Sequence, residues 1–211
     1  MTRSLPYYKE VCVDTLEDAI QAELNGADQI ELCSRLDLDG LTPSQELMEQ
    51  AFSKVKIPIK PMLRLRGGDF VYTRQEKDAM LNALEILKQF DCKSIVFGAL
   101  TMDGHIDQTF LKEITTLIGN HVLCFHKAID YSTNILESCS VLSTFERVTE
   151  ILSSGGAQTA RGGVDTLIEM KKNIRPDQKL IAAGKIRPEN VSELHNLLNL
   201  EYYHGKKIIN Y

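Results

Sequence analysis

Short apolar runs alternate with amphipathic stretches along the whole chain, and this alternation limits the possible fold more than any other feature. Short apolar runs are typical of buried strands, whereas apolar residues spaced three and four apart predict helices. Strand followed by helix, repeated over short links, predicts parallel βαβ units within one domain. The eight runs span 9–13, 29–33, 59–64, 94–99, 122–128, 147–152, 179–184 and 202–206.

Two architectures fit this order: an open doubly wound sheet and a closed (β/α)8 barrel of the TIM type. Eight runs favour the barrel, whereas an open sheet would need one or two of them to be loops. No GxGxxG motif follows the first run, where a dinucleotide-binding sheet carries it. Only KIINY follows the last run. We therefore expect one domain over 1–211, an α/β barrel that lacks its eighth helix and is shorter than the typical length of roughly 250 residues.

Several helix ends can be read from the sequence. Thr42 is a candidate N-cap with Pro43 at the first helical position, and Asp107 is a second candidate N-cap. Gly26 is a stop signal for the first helix. The stretch 73–90 predicts the longest helix, about five turns at 3.6 residues each.

Charge and composition exclude several classes of function. The net charge is −5 and no long basic run is present, so we expect no nucleic-acid partner. No apolar run is long enough to span a membrane, and the N-terminus lacks the apolar centre of a signal peptide. These features predict a cytoplasmic protein. Free thiols are then expected for the five cysteines, which form no CxxC pair: Cys12, Cys33, Cys92, Cys124 and Cys139.

Polar residues lie near the C-terminal end of nearly every predicted strand. In a barrel these ends converge on one face, where the active site is built. We therefore expect a mouth lined by thiols, carboxylates, guanidinium groups and imidazoles. The candidates, in chain order, are Cys12, Glu31, Cys33, Arg64, Arg66, His126, Asp130, Ser153, Ser154 and His204.

The stretch LRLRGGDF contributes the two arginines. Alternation of period two predicts that Arg64 and Arg66 project from the same face of the third strand, into the mouth. Two interpretations stay open for them. They bind an anionic ligand, or they pair with the carboxylates of Glu31 and Asp130, since buried charges need partners.

Two further motifs bear on ligand binding. Ser153 and Ser154 begin SSGG, which suits a phosphate cradle of backbone N–H groups but is also an ordinary tight turn. In FHKAID, parity places Lys127 on the face opposite His126, so we expect the lysine to point outward, away from the barrel interior.

The thiols of Cys12 and Cys33 should be neighbours. If the first two strands pair, the thiols lie about 5 Å apart laterally. Two soft thiolates at that spacing suit Cu(I). A disulfide, or two packed thiols without a role, are the alternatives.

In combination, these motifs resemble the CutC copper-homeostasis family. The resemblance rests on EVCVDTLEDAIQAELNGADQIELC, GLTPS, PMLRLRGGDFVYT, FGALTMDGHID, FHKAID and ILSSGG, in order from about residue 9 to residue 207. It implies a (β/α)8 barrel, a cytoplasmic location, a link to copper homeostasis and Cu(I) binding through paired thiols. The family's cysteine pair falls on Cys12 and Cys33, and its other motif residues fall on Glu31, Arg64, Arg66, His126 and Asp130.

Two functional hypotheses follow. In the first, the chain binds Cu(I) at Cys12 and Cys33, with His126 or His204 nearby. In the second, it is a barrel enzyme acting on a small anionic or phosphorylated metabolite. Arg64, Arg66, Ser153, Ser154 and His204 would then bind the substrate, and Glu31, His126 and Asp130 would transfer protons.

The missing eighth helix also predicts an interface. Tyr203, Ile208, Ile209 and Tyr211 would form an exposed apolar patch beside the gap, and such patches mark interfaces. We therefore expect a homodimer around a two-fold axis. Alternatively, the N-terminal MTRSLPYY folds back over the gap within one chain.

Overall fold

A computed structural model describes residues 6–210, which contain eight strands separated by seven α-helices. The strands are β1 (Tyr8–Val13), β2 (Gln29–Leu32), β3 (Ile59–Pro61), β4 (Ser94–Phe97), β5 (Val122–Phe125), β6 (Val148–Ser153), β7 (Lys179–Ala182) and β8 (Tyr202–Gly205). The helices are α1 (Leu16–Leu24), α2 (Gln45–Lys54), α3 (Arg74–Leu87), α4 (Gln108–Leu117), α5 (Ile135–Ser143), α6 (Val164–Asn173) and α7 (Val191–Leu198). Two short 3-10 helices, Leu36–Leu38 and Lys127–Tyr131, follow β2 and β5.

The strands form one parallel sheet that curls into a nearly closed barrel. Their order is β3-β2-β1-β8-β7-β6-β5-β4, so the first and last strands are neighbours. At the remaining seam, a single bridge joins Met62 to Val96, and the Leu63 N–H donates to the Val96 carbonyl at 2.7 Å. The predicted barrel is therefore confirmed, and the open-sheet alternative is wrong.

Alternating residues of each strand face two different hydrophobic cores. Val11 and Val13 of β1 face the helices and belong to the large core between sheet and helices. Cys12 faces the barrel interior, where a smaller apolar cluster forms. Met62, Val96 and other interior residues complete that cluster: Cys33, Cys124, Leu152, Ile181, Ala183 and Tyr202.

Side-chain caps set most helix starts. Asp107 caps α4 as predicted, by accepting from the Phe110 N–H at 3.0 Å. The predicted cap at Thr42 is wrong, because Ser44 caps α2. The Thr42 hydroxyl instead contacts the Arg64 backbone at 2.9 and 3.0 Å. As predicted, α3 is the longest helix, but it has 14 residues rather than five turns.

The chain segment after β8 forms no helix between Lys206 and Asn210, in agreement with the expected gap. The prediction of an exposed patch there is wrong for the described residues. Tyr203, Ile208 and Ile209 are all buried within the single chain. Tyr203 packs edge-on against the ring of Tyr7 at 5.3 Å. Tyr211 and the first five residues of MTRSLPYY lie outside the described residues.

None of the helices between residues 6 and 210 combines the length and the apolar character needed to cross a bilayer.

Candidate functional site

The thiols of Cys12 and Cys33 meet at the top of the barrel interior. Cys12 lies in β1 opposite Glu31 of β2, and Cys33 directly follows β2. Their sulfur atoms are 3.7 Å apart, and both side chains are buried. The predicted adjacency is confirmed, and both cysteines are free thiols.

One carboxylate oxygen contacts both thiols. Glu31 Oε1 accepts from Cys12 Sγ at 3.2 Å and from Cys33 Sγ at 3.6 Å. The contact with Cys33, together with burial, raises the pKa of the Cys12 thiol well above its usual value. Cys12 lowers the pKa of Cys33, but burial and the charge of Glu31 raise it to about 11. At neutral pH both sulfurs therefore carry protons.

His204, on β8, lies beside this group. Its Nδ1 is 2.7 Å from Glu10 Oε1, and its Nε2 is 4.0 Å from Glu31 Oε1. Burial alone lowers the pKa of His204, but the carboxylates of Glu31 and Glu10 and the contact with Cys12 raise it well above the usual value. These contacts therefore favour the imidazolium form of His204.

A buried ionic network lies one layer lower, and the sequence reasoning missed it. Lys60 Nζ contacts Glu10 Oε2 at 2.6 Å and Glu150 Oε2 at 2.9 Å. Burial raises the pKa of Glu10, yet Lys60 and His204 outweigh it and hold the pKa at about 2. Strand parity could have revealed this network. Glu10 is two residues from Cys12 and Lys60 is two residues from Met62, so both charged side chains are expected to face the barrel interior.

Arg64 is fixed at the wall of the mouth. Its side chain is 4% exposed. Its Nη1 donates to the carbonyls of Leu38 and Asp39 at 3.3 and 3.2 Å, and its Nη2 donates to the Gly68 carbonyl at 3.1 Å. The guanidinium carbon lies 4.7 Å from the ring centre of Phe70.

Arg66, in contrast, does not line the mouth. It pairs with Glu76 and Asp69 and donates to the Val71 carbonyl at 2.8 Å. The prediction that both arginines share one strand face is wrong, because β3 ends at Pro61 and the chain beyond it loses strand parity. Neither arginine pairs with Glu31 or Asp130 in the described part of the chain.

His126 is a buried, neutral imidazole. Its Nδ1 accepts from the Ala128 N–H at 3.1 Å, so the ring proton is on Nε2. Burial and the nearby charge of Arg64 lower its pKa to about 3. A Cβ at Gly98 would lie 2.4 Å from the ring, so the glycine is needed for this position of the histidine.

Asp130 occupies the cradle that the SSGG motif was expected to offer to a phosphate. Its carboxylate accepts from the backbone N–H groups of Ser154 at 3.0 Å and Gly156 at 3.0 Å. It also accepts from the hydroxyls of Ser153 and Ser154. In the structure, the anion on this cradle is therefore the chain's own side chain.

The prediction that Lys127 points outward is wrong. Strand β5 ends at Phe125, and the 3-10 helix that follows turns the lysine toward the mouth. Lys127 Nζ lies 2.6 Å from Ser154 Oγ and 3.2 Å from Asp130 Oδ2.

The barrel mouth contains a cavity of about 240 Å³. The structure brings five of the ten predicted site residues to its wall: Cys12, Glu31, Arg64, His126 and His204. Cys33 lies behind it, in contact with Cys12 and Glu31. Arg66, Asp130, Ser153 and Ser154 are not part of its lining. The proton-transfer roles of Glu31, His126 and Asp130 stay predictions.

Comparisons with known proteins identify the family. Residues 7–209 match the model of the CutC family. The chain is 34% identical over 190 residues to the copper homeostasis protein cutC homolog of Homo sapiens, covering 89% of this chain and 68% of that protein. It is 34% identical over 194 residues to the family protein CutC of Erwinia tasmaniensis, covering 89% and 77%.

Solved structures add information on the fold. CutC from Streptococcus agalactiae superposes with a TM-score of 0.89 at 23% identity, covering 96% of this chain and 99% of that one. Phosphoribosylanthranilate isomerase from Thermotoga maritima, at 11% identity, gives 0.59 and covers 94% and 86%. The second likeness shows that the barrel is of the TIM type. The extent of the family match and the identity to its curated members together show that this chain belongs to the CutC family.

Proposed function

We propose that the chain binds Cu(I) as a cargo ion through the thiolates of Cys12 and Cys33. The observation that carries this proposal is the 3.7 Å separation of the two buried sulfur atoms. With a metal–sulfur distance of about 2.3 Å, as in thiolate-bound zinc, two tetrahedral ligands lie roughly 3.8 Å apart. The two thiols are therefore spaced for one ion without movement of the strands.

The donor chemistry also suits Cu(I). Soft thiolates select Cu(I) over the hard cations that carboxylates and waters prefer. Glu31 Oε1, in contact with both sulfurs, offers a third donor atom. We propose that His204, which pairs with Glu10 at 2.7 Å, offsets the negative charge of the thiolates rather than binding the ion.

Binding must release protons, because both thiols are protonated at neutral pH. Glu31 Oε1 accepts from both thiols, so Glu31 can pass their protons on one at a time before Oε1 contacts the ion. A route for protons from the sulfur atoms to the cavity wall is thus present in the side chains themselves.

We further propose that this binding serves copper homeostasis in the cytoplasm. The names of the human and mouse relatives, each 34% identical to the chain, support the role. The state of the cysteines supports the compartment. A site of two thiolates requires reduced cysteines, and thiols persist in this form in reducing surroundings.

The test is a titration of the reduced protein with Cu(I) against a chromophoric chelator. Wild type should retain one Cu(I) per chain, and the double variant Cys12→Ser/Cys33→Ser should retain none. Cys124→Ser is the matched control, because Cys124 is a third buried thiol inside the same barrel. Equal retention by the double variant and the control would contradict the site.

A further inference from the structure

The mouth cavity carries buried polar atoms that the proposed copper site does not use. Glu31 Oε2, Arg64 Nε and His126 Nε2 are each buried, and none has a hydrogen-bond partner in the described part of the chain. All three residues line the same cavity. Buried polar atoms in native proteins are nearly always paired, so three unpaired ones around one cavity indicate a bound ligand.

The donor or acceptor character of these three atoms specifies which groups a ligand must offer to them. His126 Nε2 carries the ring proton and is a donor, since Nδ1 accepts from the Ala128 N–H. Arg64 Nε–H is also a donor, because a guanidinium has no acceptor. Glu31 Oε2 is an acceptor when the carboxylate is ionised. The ligand must therefore offer acceptor oxygens toward Arg64 and His126 and a donor toward Glu31.

Charge favours an anion. Arg64 has no carboxylate partner in residues 6–210, and its Nη atoms bind only backbone carbonyls. Lys127, Lys206 and His204 also line the cavity, whereas only two carboxylates of the described residues, those of Glu31 and Asp39, lie on the same wall. Asp130 partly offsets the charge of Lys127. A guanidinium without a carboxylate partner in a buried site suits recognition of a planar carboxylate.

The two donors are held in place before any ligand arrives. The ring of Phe70 packs against both, 4.7 Å from the Arg64 guanidinium carbon and 5.0 Å from the His126 ring centre. The size of the cavity limits the ligand. A cavity of about 150 Å³ holds benzene, so 240 Å³ holds roughly ten non-hydrogen atoms.

We propose that the barrel mouth binds a small 2-hydroxycarboxylate. The carboxylate accepts from Arg64 and His126, and the adjacent hydroxyl donates to Glu31 Oε2. No covalent bond is made or broken. The site adjoins the thiol pair and shares Glu31 with it, but the thiols contact the other oxygen, Glu31 Oε1. The proposal therefore does not depend on copper binding.

The test measures thermal shifts with lactate, glycerate and malate, both enantiomers of each, at about 10 mM, where mass action stabilises a protein that binds them. Propionate, 3-hydroxypropionate and succinate are the respective matched acids without the 2-hydroxyl. At least one hydroxy acid should raise the melting temperature of wild type, and its deoxy analogue should do so less. An equal shift by both acids would contradict the hydroxyl contact with Glu31.

Two variants test whether Arg64 and His126 bind the hydroxy acid. Arg64→Gln removes the cation, with Arg66→Gln as its control two residues away and outside the cavity. His126→Asn keeps an acceptor near Nδ1 for the Ala128 N–H and removes the Nε2 donor, so it answers the question even if Arg64→Gln fails to fold. The shift should disappear in both and persist in Arg66→Gln. No shift in wild type, or a shift that survives in His126→Asn, would overturn the proposal.

Discussion

His204 Nδ1 lies 2.7 Å from Glu10 Oε1, inside the barrel and one layer below the thiol pair. Glu10 has no exposed surface and also pairs with Lys60 at 2.6 Å. Two buried cations therefore depend on one carboxylate, and its loss leaves both without their closest partner.

The first prediction concerns this carboxylate. Glu10→Gln should lower the free energy of unfolding by about 3–5 kcal/mol, the cost of leaving buried charges unpaired. Urea denaturation at pH 7 measures it. Glu189→Gln, at an exposed glutamate, should change stability by less than about 0.5 kcal/mol. Equal effects in the two variants would show that the network adds nothing.

The pKa of Glu10 gives a second measurement on the same residue. Its folded value of about 2 lies below the ordinary 4.5, so its stabilising contribution is complete above pH 4.5. That contribution should be lost as pH falls from 4.5 toward 2. The difference in stability between wild type and Glu10→Gln should shrink over the same range.

Copper affinity should rise with pH. Both thiols have raised pKa values, about 11 for Cys33, and each must lose a proton to bind the ion. With two protons released, the apparent Kd should fall by up to about 100-fold per pH unit between pH 6 and 8. Competition titrations at several pH values, corrected for protonation of the chelator, measure the slope. A flat profile would mean that the thiols are not the ligands.

Stability should depend on pH through His126. Its folded pKa is about 3, so between pH 6.5 and 3 the unfolded chain binds a proton that the folded chain does not. Stability from this residue is therefore lost as pH falls, by about 2 kcal/mol at pH 5. His126→Asn should remove that part of the pH dependence. Parallel stability curves for the two proteins would contradict the neutral, buried imidazole.

Asp130 should hold the SSGG loop. Asp130→Asn replaces an acceptor of several N–H and O–H groups, and we expect a loss of about 1–3 kcal/mol. Amide hydrogen exchange at Ser154 and Gly156 should become faster. Asp69→Asn, at an exposed aspartate paired with Arg66, is the control and should leave these amides unchanged. Unchanged exchange in Asp130→Asn would show that the loop is held by other contacts.

The homodimer stays a prediction, but the exposed apolar patch from which it was inferred is not found in the described residues. Tyr203, Ile208 and Ile209 are buried within one chain, and Tyr7 covers part of Tyr203. Light scattering at micromolar concentration decides between the two alternatives. A monomeric mass would refute the dimer and favour cover of the gap by the N-terminal segment.

The sequence predicted the barrel from its eight apolar runs, and it predicted much of the site because strand parity is regular. Cys12 and Glu31 face inward as their positions in β1 and β2 require. Parity failed for Arg66 and Lys127, which lie beyond the strand ends. There the direction of a side chain depends on loop contacts, such as those of Arg66 with Glu76, that no period in the sequence reveals.

The partner of a charged side chain is harder to predict from sequence than the strand face on which it lies. SSGG has the composition of an anion cradle, and the structure places an anion there, but the anion is Asp130 from the same chain. The network of Glu10 and Lys60 was visible as inward-facing charge. Which cation meets which carboxylate across the barrel depends on the stagger of eight strands, and that follows from closure rather than from local sequence.

The single bridge between Met62 and Val96 gives the barrel a preferred line of opening. Every other neighbouring pair shares a ladder of at least two registered positions, so fluctuations that part the strands cost least at this seam. Arg64 stands directly above it. Parting of the strands at this seam would therefore open the barrel wall beside Arg64, which lines the cavity.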